Sequence, residues 1–149
     1  MAIEAPSDAE QSQQTFEFFD IHPQLLNSGK ATTTLAQSDI LTGTVMVADA
    51  GGETIVHSHS GMDQLFVVLA GQATFYSTER EVVRVLGPME GVLVPRNTVY
   101  WYEKTGDENL VLFRAAAHAQ NDPQETVRVT GQLRESRPVE PREGAFFRG

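Results

Sequence analysis

The sequence predicts a single all-β domain, built as a sandwich or a closed barrel, and three observations lead to that prediction. Short runs rich in β-branched and aromatic residues recur at regular spacing between about residues 42 and 117. Turn signals made of Gly, Pro, Asn and Asp separate these runs, and no long amphipathic helix interrupts them. The length of 149 residues suits one domain, which can bury a core without disulfide bonds.

The elements follow one another in a regular order along the chain. Residues 1–14 are polar and acidic, so we expect them to be disordered. Phe16, Phe18 and Phe19 begin a segment that we expect to be buried, and a turn at 27–30 follows it. The predicted strands are 42–47, 54–59, 64–70, 73–77, 82–86, 92–94, 99–103 and 110–117.

The chain divides into a terminal segment, a body and a tail. We place the disordered N-terminus at 1–14, the β-domain at 15–122 and the tail at 123–149. The tail is rich in Pro, Arg, Glu and Gly, a composition typical of linkers. Phe146 and Phe147 stand near its end, and a merely solvated tail would seldom carry two adjacent phenylalanines. We therefore expect the tail to pack on the body or on a partner subunit.

The strand at 64–70 is apolar on both of its faces. Phe66 and Val68 share one face, whereas Leu65, Val67 and Leu69 share the other. A sheet with one wet face alternates apolar and polar residues, so both faces of this strand should be covered. One face then belongs to the core, and the other faces a second sheet or another subunit. This pattern favours a homodimer.

Composition and charge exclude several classes of partner. The formal net charge is −9, which argues against nucleic acid and anionic membrane surfaces as partners. No apolar run is long enough to span a bilayer, and the N-terminus has no features of a secretion signal. The chain contains no cysteine, so it has neither disulfide bonds nor thiolate ligands. We expect a cytoplasmic protein whose partner is a small-molecule substrate.

His57-Ser58-His59 is the sharpest local signal of chemistry. Side chains alternate between the faces of a strand, so both imidazoles should project to one side. Imidazole is a good ligand for Zn, Fe, Ni or Cu, and two of them on one rigid strand make half a metal site. On its own, this pair is also compatible with two solvent-facing histidines near a turn.

Two longer stretches give the pair its context. The first, GGETIVHSHSGMDQLFVVLAG, runs from Gly51 to Gly71, and the second, GVLVPRNTVYWYEKTGDENL, begins at Gly91. Together they resemble the two motifs of the cupin superfamily, in particular small single-domain cupins. Asn97 stands where the second motif usually has glycine, and Asn is a natural substitute where a positive φ is needed. The resemblance covers about half of the chain and implies a cupin-type antiparallel β-barrel, also called a jelly roll or double-stranded β-helix.

The resemblance also implies a metal site. Cupins usually bind one Fe, Mn, Ni or Zn ion through three histidines and a glutamate. His57 and His59 match two of those histidines, whereas Gln64 and Tyr100 stand at the glutamate and third histidine positions. The implied ligands of one divalent transition metal are therefore His57, His59, Gln64 and Tyr100. Asp63 is a competing candidate for the acidic position, although the spacing to Gly71 favours Gln64.

Three functions follow as hypotheses. The first is a metal-dependent enzyme with isomerase, cyclase or lyase chemistry on a small carbonyl or carboxylate compound. Tyr100, and Tyr102 on the same strand face, would be its catalytic residues. The second is an iron-dependent dioxygenase. The third is a small-ligand-binding cupin that has lost its metal, and the two replaced ligands are its main support.

Overall fold

The computed structural model describes residues 15–78, 80–119, 126–128 and 137–149. The predicted disordered segment at 1–14 lies outside these residues. The described secondary structure is entirely β and antiparallel, which confirms the predicted fold class. The strands are β1 (Gln24–Ser28), β2 (Lys30–Gln37), β3 (Leu41–Ala48), β4 (His57–His59), β5 (Met62–Ala70), β6 (Gln72–Tyr76), β7 (Val82–Leu86), β8 (Gly91–Val94), β9 (Trp101–Thr105), β10 (Leu110–His118), β11 (Thr126–Arg128) and β12 (Glu140–Phe146).

Two sheets enclose the core of the barrel. One has five strands in the order β2-β3-β10-β5-β8, and the other has three in the order β7-β6-β9. The inward side chains of both sheets form one buried cluster, so the sheets pack face to face. Short ribbons, β4 with β11 and β1 with β12, complete the described structure. None of the described segments forms a helix of the length and apolarity that a membrane crossing requires.

The period-two pattern decides which side chains reach the barrel interior. On β5, Gln64, Phe66 and Val68 point inward and are almost completely buried. On the neighbouring β10, Leu110 and Leu112 do the same. Every second residue of these strands therefore forms the inner wall of the barrel, and this holds for the polar Gln64 as well as for the apolar residues.

A second apolar cluster covers part of the outer face of the five-stranded sheet. Val45, Val47 and Val111 point outward from β3 and β10, and yet they are buried. Leu26 from β1 and Phe147 from the C-terminal segment cover them. Outward apolar residues on this half of the sheet are thus buried within the chain itself.

The described part of the C-terminal tail lies against the body. Strand β12 pairs with β1 in an antiparallel ribbon, with Gln24 opposite Phe146. The hydroxyl of Ser28 donates to the carbonyl oxygen of Pro138 at 2.7 Å. The backbone N–H of Arg137 donates to the carbonyl of Gly51 at 3.3 Å. Hydrogen bonds as well as apolar contacts therefore hold this segment in place.

The predictions differ from the structure in several places, and strands β1, β2, β11 and β12 were not among those predicted. The predicted strand at 54–59 begins only at His57, because Thr54 uses its backbone N–H and its hydroxyl to bind Tyr102 instead of a ladder partner. The phenylalanine segment is not buried as expected, since the side chains of Phe16 and Phe18 are 90% and 91% exposed. The described strands offer these two rings no covering surface.

Candidate functional site

The two histidines of strand β4 project into the barrel together. Both line a cavity of about 320 Å³, with Phe66, Tyr100 and Tyr102 on its apolar side. Their ring centroids are 4.8 Å apart and the rings are nearly perpendicular. His57 is buried, and His59 is partly exposed. The structure thus places the pair on one inward face, as strand geometry requires.

Main-chain contacts fix the orientation and the tautomer of His57. Its backbone exchanges two hydrogen bonds with that of Tyr100, at 3.1 and 2.9 Å. Its Nδ1 lies 2.5 Å from the carbonyl oxygen of Ile55, which can only accept. In the neutral ring the proton is therefore on Nδ1, and Nε2 carries the lone pair. His57 is set up as a proton acceptor or as a ligand through Nε2.

The pKa values of both imidazoles lie below the usual value for histidine. Burial lowers the pKa of His57, although its hydrogen bond to Ile55 opposes the shift. Burial lowers the pKa of His59 to about 4, and the neighbouring charges of His57 and Arg114 add to the shift. At neutral pH the cavity therefore contains two uncharged bases.

Gln64, and not Asp63, points into the barrel. The Gln64 side chain is only 1% exposed. Asp63 lies on the exposed side of β5, where its Oδ1 accepts a hydrogen bond of 2.8 Å from the backbone N–H of Arg96. Asp63 therefore caps a turn at the strand end, and it brings no charge to the interior.

Gln64 joins Tyr100 to Arg114 in one buried network. Nη1 of Arg114 donates to Oε1 of Gln64 at 3.3 Å, and Nε2 of Gln64 donates to the Tyr100 hydroxyl at 2.9 Å. Because the guanidinium can only donate, it fixes which end of the amide faces Tyr100. Burial raises the pKa of Tyr100 to about 12, against smaller opposing effects of Gln64 and Arg114. Tyr100 is thus a neutral phenol that accepts one hydrogen bond and keeps its own proton.

Tyr102 lies on the same wall but in a drier position. Its hydroxyl donates to Sδ of Met46 at 2.7 Å, and its ring stacks on Phe75 at a centroid distance of 5.0 Å. Complete burial raises its pKa, and neighbouring Tyr100 adds to the effect. The structure brings Tyr102 to the cavity as an aromatic wall whose polar atom already has a partner.

Two basic residues that line the same cavity, Lys30 and Arg114, were not among the site residues predicted from the sequence. Glu53 is the only carboxylate among the described lining residues. Arg114 occupies an inward position of β10, two residues after Leu112 and four after Leu110. This alternation was the sequence signal that could have revealed Arg114. An arginine at an inward position of a buried strand is rarely left without an interaction in the interior.

The interior just described lies within a recognisable family domain. A family model of the cupin domain matches residues 44–115, which begin in β3, end in β10 and include the histidine pair, Gln64, Tyr100 and Arg114. Residues 44–115 of the chain form a cupin domain. Asn97 of the second cupin motif has a φ of 65°, so it does adopt the left-handed conformation for which glycine is the usual residue.

Solved structures of other proteins share this fold. An uncharacterized double-stranded β-helix protein from Klebsiella pneumoniae is 17% identical, with a TM-score of 0.58 over 68% of this chain and 87% of that chain. A cupin-like protein from Thermotoga maritima is 25% identical, with a TM-score of 0.55 over 68% and 79%. KdgF from Halomonas sp. is 22% identical, with a TM-score of 0.53 over 62% and 83%. No protein with a curated description matches the chain significantly.

The donor set of this cupin does not fit a four-ligand metal site. His57 and His59 are suitable ligands, but Oε1 of Gln64 accepts from Arg114, and the Tyr100 hydroxyl accepts from Nε2 of Gln64. The guanidinium of Arg114 adds a positive charge beside the position that a cation would take. No group of three or more His, Asp or Glu side chains in the described ranges is arranged to hold a metal ion.

Proposed function

We propose that this cupin is a small-molecule enzyme that transfers a proton on a small carbonyl or carboxylate compound, in a reaction of isomerase, cyclase or lyase type. The observation that carries the proposal is the pairing of His57 with Tyr100 on one cavity wall, with ring centroids 4.5 Å apart. One residue offers an unprotonated nitrogen, and the other offers a hydroxyl proton. A base and an acid at this spacing suit proton transfer next to a carbonyl group.

The two side chains divide the reaction between them. Nε2 of His57 takes a proton from the carbon next to the substrate carbonyl, so a C–H bond breaks and an N–H bond forms. The carbonyl oxygen gains the negative charge, and the Tyr100 hydroxyl donates a hydrogen bond to it. Return of the proton to a different carbon gives isomerisation, whereas departure of a group from the next carbon gives elimination.

The surroundings of the pair support this division. Because Gln64 donates to Tyr100, the phenol proton remains available for the substrate. The backbone bridge between His57 and Tyr100 holds the two side chains in a fixed relation. The aromatic wall of Phe66 and Tyr102 limits water around the reacting atoms, which strengthens each hydrogen bond within the site. The cavity volume of about 320 Å³ restricts the substrate to a small molecule.

The sequence predicts a metal-dependent form of this chemistry, and an iron-dependent dioxygenase as the alternative. Both need a divalent ion held by His57, His59, Gln64 and Tyr100. The hydrogen bonds of Gln64 to both Arg114 and Tyr100 give those hypotheses no support. We therefore assign the acid–base steps to the protein's own side chains and derive no step through a metal.

A ligand-binding cupin without turnover is the second candidate. It is favoured by the fact that Gln64, Tyr100 and Tyr102 already satisfy one another or Met46 in the absence of a ligand. A cavity wall held by such hydrogen bonds can persist as a binding pocket after the loss of catalytic function.

Hydrogen–deuterium exchange distinguishes the proposed enzyme from the binding protein, and it does not require the natural substrate to be known. A panel of small 2-oxo acids and ketones is incubated with the protein in D₂O, and loss of the proton next to the carbonyl is followed by NMR. We expect catalysed exchange for at least one compound, reduced about 100-fold or more by His57→Gln or Tyr100→Phe, because each change removes the acid or the base. His22→Gln, a histidine outside the cavity, is the control. Exchange at the buffer rate for the whole panel would favour the binding protein.

A further inference from the structure

Two polar atoms inside the barrel have no hydrogen-bond partner in the described structure. They are Oγ1 of Thr44 and Nε of Arg114, and both atoms are buried. Buried polar groups are nearly always paired, and an unpaired one carries the full cost of leaving water. A guanidinium is especially costly to leave unmatched, because it is charged at every accessible pH. The chain retains both groups in its core, which points to a partner from outside the chain.

Strand pairing places the two residues directly opposite each other. Arg114 on β10 faces Thr44 on β3 in the antiparallel register. Both lie on the inward face, since Thr44 is two residues from Met46 and Arg114 is two residues from Leu112. Met46 and Arg114 both line the cavity that contains His57 and Tyr100. Arg114 therefore reaches the candidate catalytic cavity, and Thr44 lies next to Arg114 on the same inner wall.

The donors and charges here select an acceptor with negative charge. The guanidinium offers only N–H donors, and one of them, Nη1, already binds Gln64. The Thr44 hydroxyl can donate a further hydrogen bond. Lys30 adds a second basic group to the cavity lining, whereas Glu53 is the one described acid there. None of the ion pairs among the described residues involves Arg114. A carboxylate matches this set, because its two oxygens accept from the fork of an arginine and from a neighbouring hydroxyl.

We infer that Arg114 and Thr44, with Lys30 as a second cation, form a carboxylate-binding subsite that orients a small organic acid toward His57 and Tyr100. The inference rests on the proposed function for the reacting end of the substrate, and it narrows the substrate class to carboxylates. In this arrangement, Arg114 supplies a permanent positive charge inside the barrel. Arg114 and Thr44 are positioning residues here, since they bind the end of the molecule that does not react.

A matched pair of fluorinated probes tests the subsite directly. Binding of 4-fluorobenzoate and of 4-fluorobenzamide to the full-length protein is measured by ¹⁹F NMR titration. The two molecules have nearly the same shape, and only the first carries a charge. We expect saturable binding of the benzoate, with the benzamide at least about tenfold weaker, since hydrogen bonds to a charged group are the stronger kind. Inorganic phosphate serves as a competitor that reveals a site for anions in general.

The variants distinguish a subsite from a structural role. Thr44→Val preserves the shape of the side chain and removes a hydroxyl that has no partner, so we expect unfolding stability to be maintained or raised. Affinity for the benzoate should nevertheless fall about tenfold. Arg114→Met should weaken it by a similar factor or more, and Arg84→Met, on the exposed face of β7, should leave it unchanged. Loss of stability in Thr44→Val would show that the hydroxyl serves the fold instead.

The outcomes separate this inference from the proposed function. Equal binding of benzoate and benzamide, full affinity in Thr44→Val, or no saturable binding of benzoate at tens of millimolar overturns the subsite. Displacement by phosphate at equal concentration overturns the selectivity for carboxylates. If carboxylate binding depends on Thr44 but no 2-oxo acid exchanges its proton, the subsite is supported and the proposed enzyme activity is contradicted. If proton exchange depends on His57 but occurs only with neutral ketones, the proposed enzyme is supported and the carboxylate subsite is contradicted.

Discussion

The amide of Gln64 donates a hydrogen bond of 2.9 Å to the hydroxyl of Tyr100. These two residues stand at the positions where the cupin motifs usually carry a glutamate and the third histidine. The two departures from the family pattern are thus in direct contact, and each satisfies the other without a metal ion. Arg114 completes the arrangement on the far side of the Gln64 amide. The change from the usual ligand set is a coordinated one that involves three side chains.

Metal content is the first property that follows from this contact. We expect protein purified without a histidine tag to hold far less than one equivalent of any transition metal, because only two neutral ligands are available. The double variant Gln64→Glu/Tyr100→His restores the missing donors and should gain metal, as measured by elemental analysis. A stoichiometric metal in the wild-type protein, lost in His57→Ala, would contradict the reading of the donor set.

The hydroxyl of Tyr100 should matter more to stability than that of Tyr102. Tyr100→Phe leaves the buried Nε2 of Gln64 without its acceptor, and we expect a loss of about 1–3 kcal/mol in the free energy of unfolding. Tyr102→Phe removes only a contact with a sulfur atom, which is a weak acceptor, so its cost should be smaller. Urea unfolding of the two variants measures the difference. Equal costs would show that Gln64 finds another partner.

The buried histidines make stability depend on pH. The pKa of His59 is about 4 in the folded protein and 6.5 in the unfolded chain, so between these values the unfolded chain binds the extra proton. Stability from this source is fully present above pH 6.5 and falls as the pH drops toward 4. His57 acts in the same direction. We expect the fall in melting temperature over this range to be smaller in His59→Asn, and parallel curves for the two proteins would contradict the assignment.

An uncovered area on the outer face of the five-stranded sheet supports our proposal of a homodimer. Leu65 and Leu93 are paired across β5 and β8 and are 46% and 60% exposed, unlike the half covered by β1 and β12. A second copy of the chain would cover this surface. Light scattering should report a dimer that Leu65→Glu/Leu93→Glu converts to a monomer. Val83→Glu/Val85→Glu, at similarly exposed positions of β7, is the matched control and should leave the dimer intact.

Much of the barrel follows from the sequence, because strand patterns and turn residues are local properties. The period of two places His57 and His59 on one face, and spacing alone favours Gln64 over Asp63 as the inward residue. The left-handed conformation of Asn97 also follows from its place in the motif. These features depend on a few neighbouring residues, so one sequence is enough to infer them.

The remaining features depend on contacts between distant residues. The surroundings of Arg114 depend on Thr44 and Gln64, each 50 or more positions away. The ribbon of β1 and β12 joins positions more than 100 residues apart, and no local pattern in the Pro- and Arg-rich tail indicates a strand partner. The exposure of Phe16 likewise depends on what the rest of the chain leaves uncovered. Composition alone favours burial of such a ring, and this was the wrong inference.

The pairing of β1 with β12 also sets an order for events during synthesis of the chain. The residues that enclose the cavity, from Lys30 to Arg114, emerge from the ribosome before Phe147, which covers the outer cluster. The interior of the nascent barrel can therefore close before Phe147 completes the cover of Val45 and Val47, to which Leu26 also contributes. This interval is open to chaperones and to premature association between growing chains, and it ends when β12 adds its hydrogen bonds to β1.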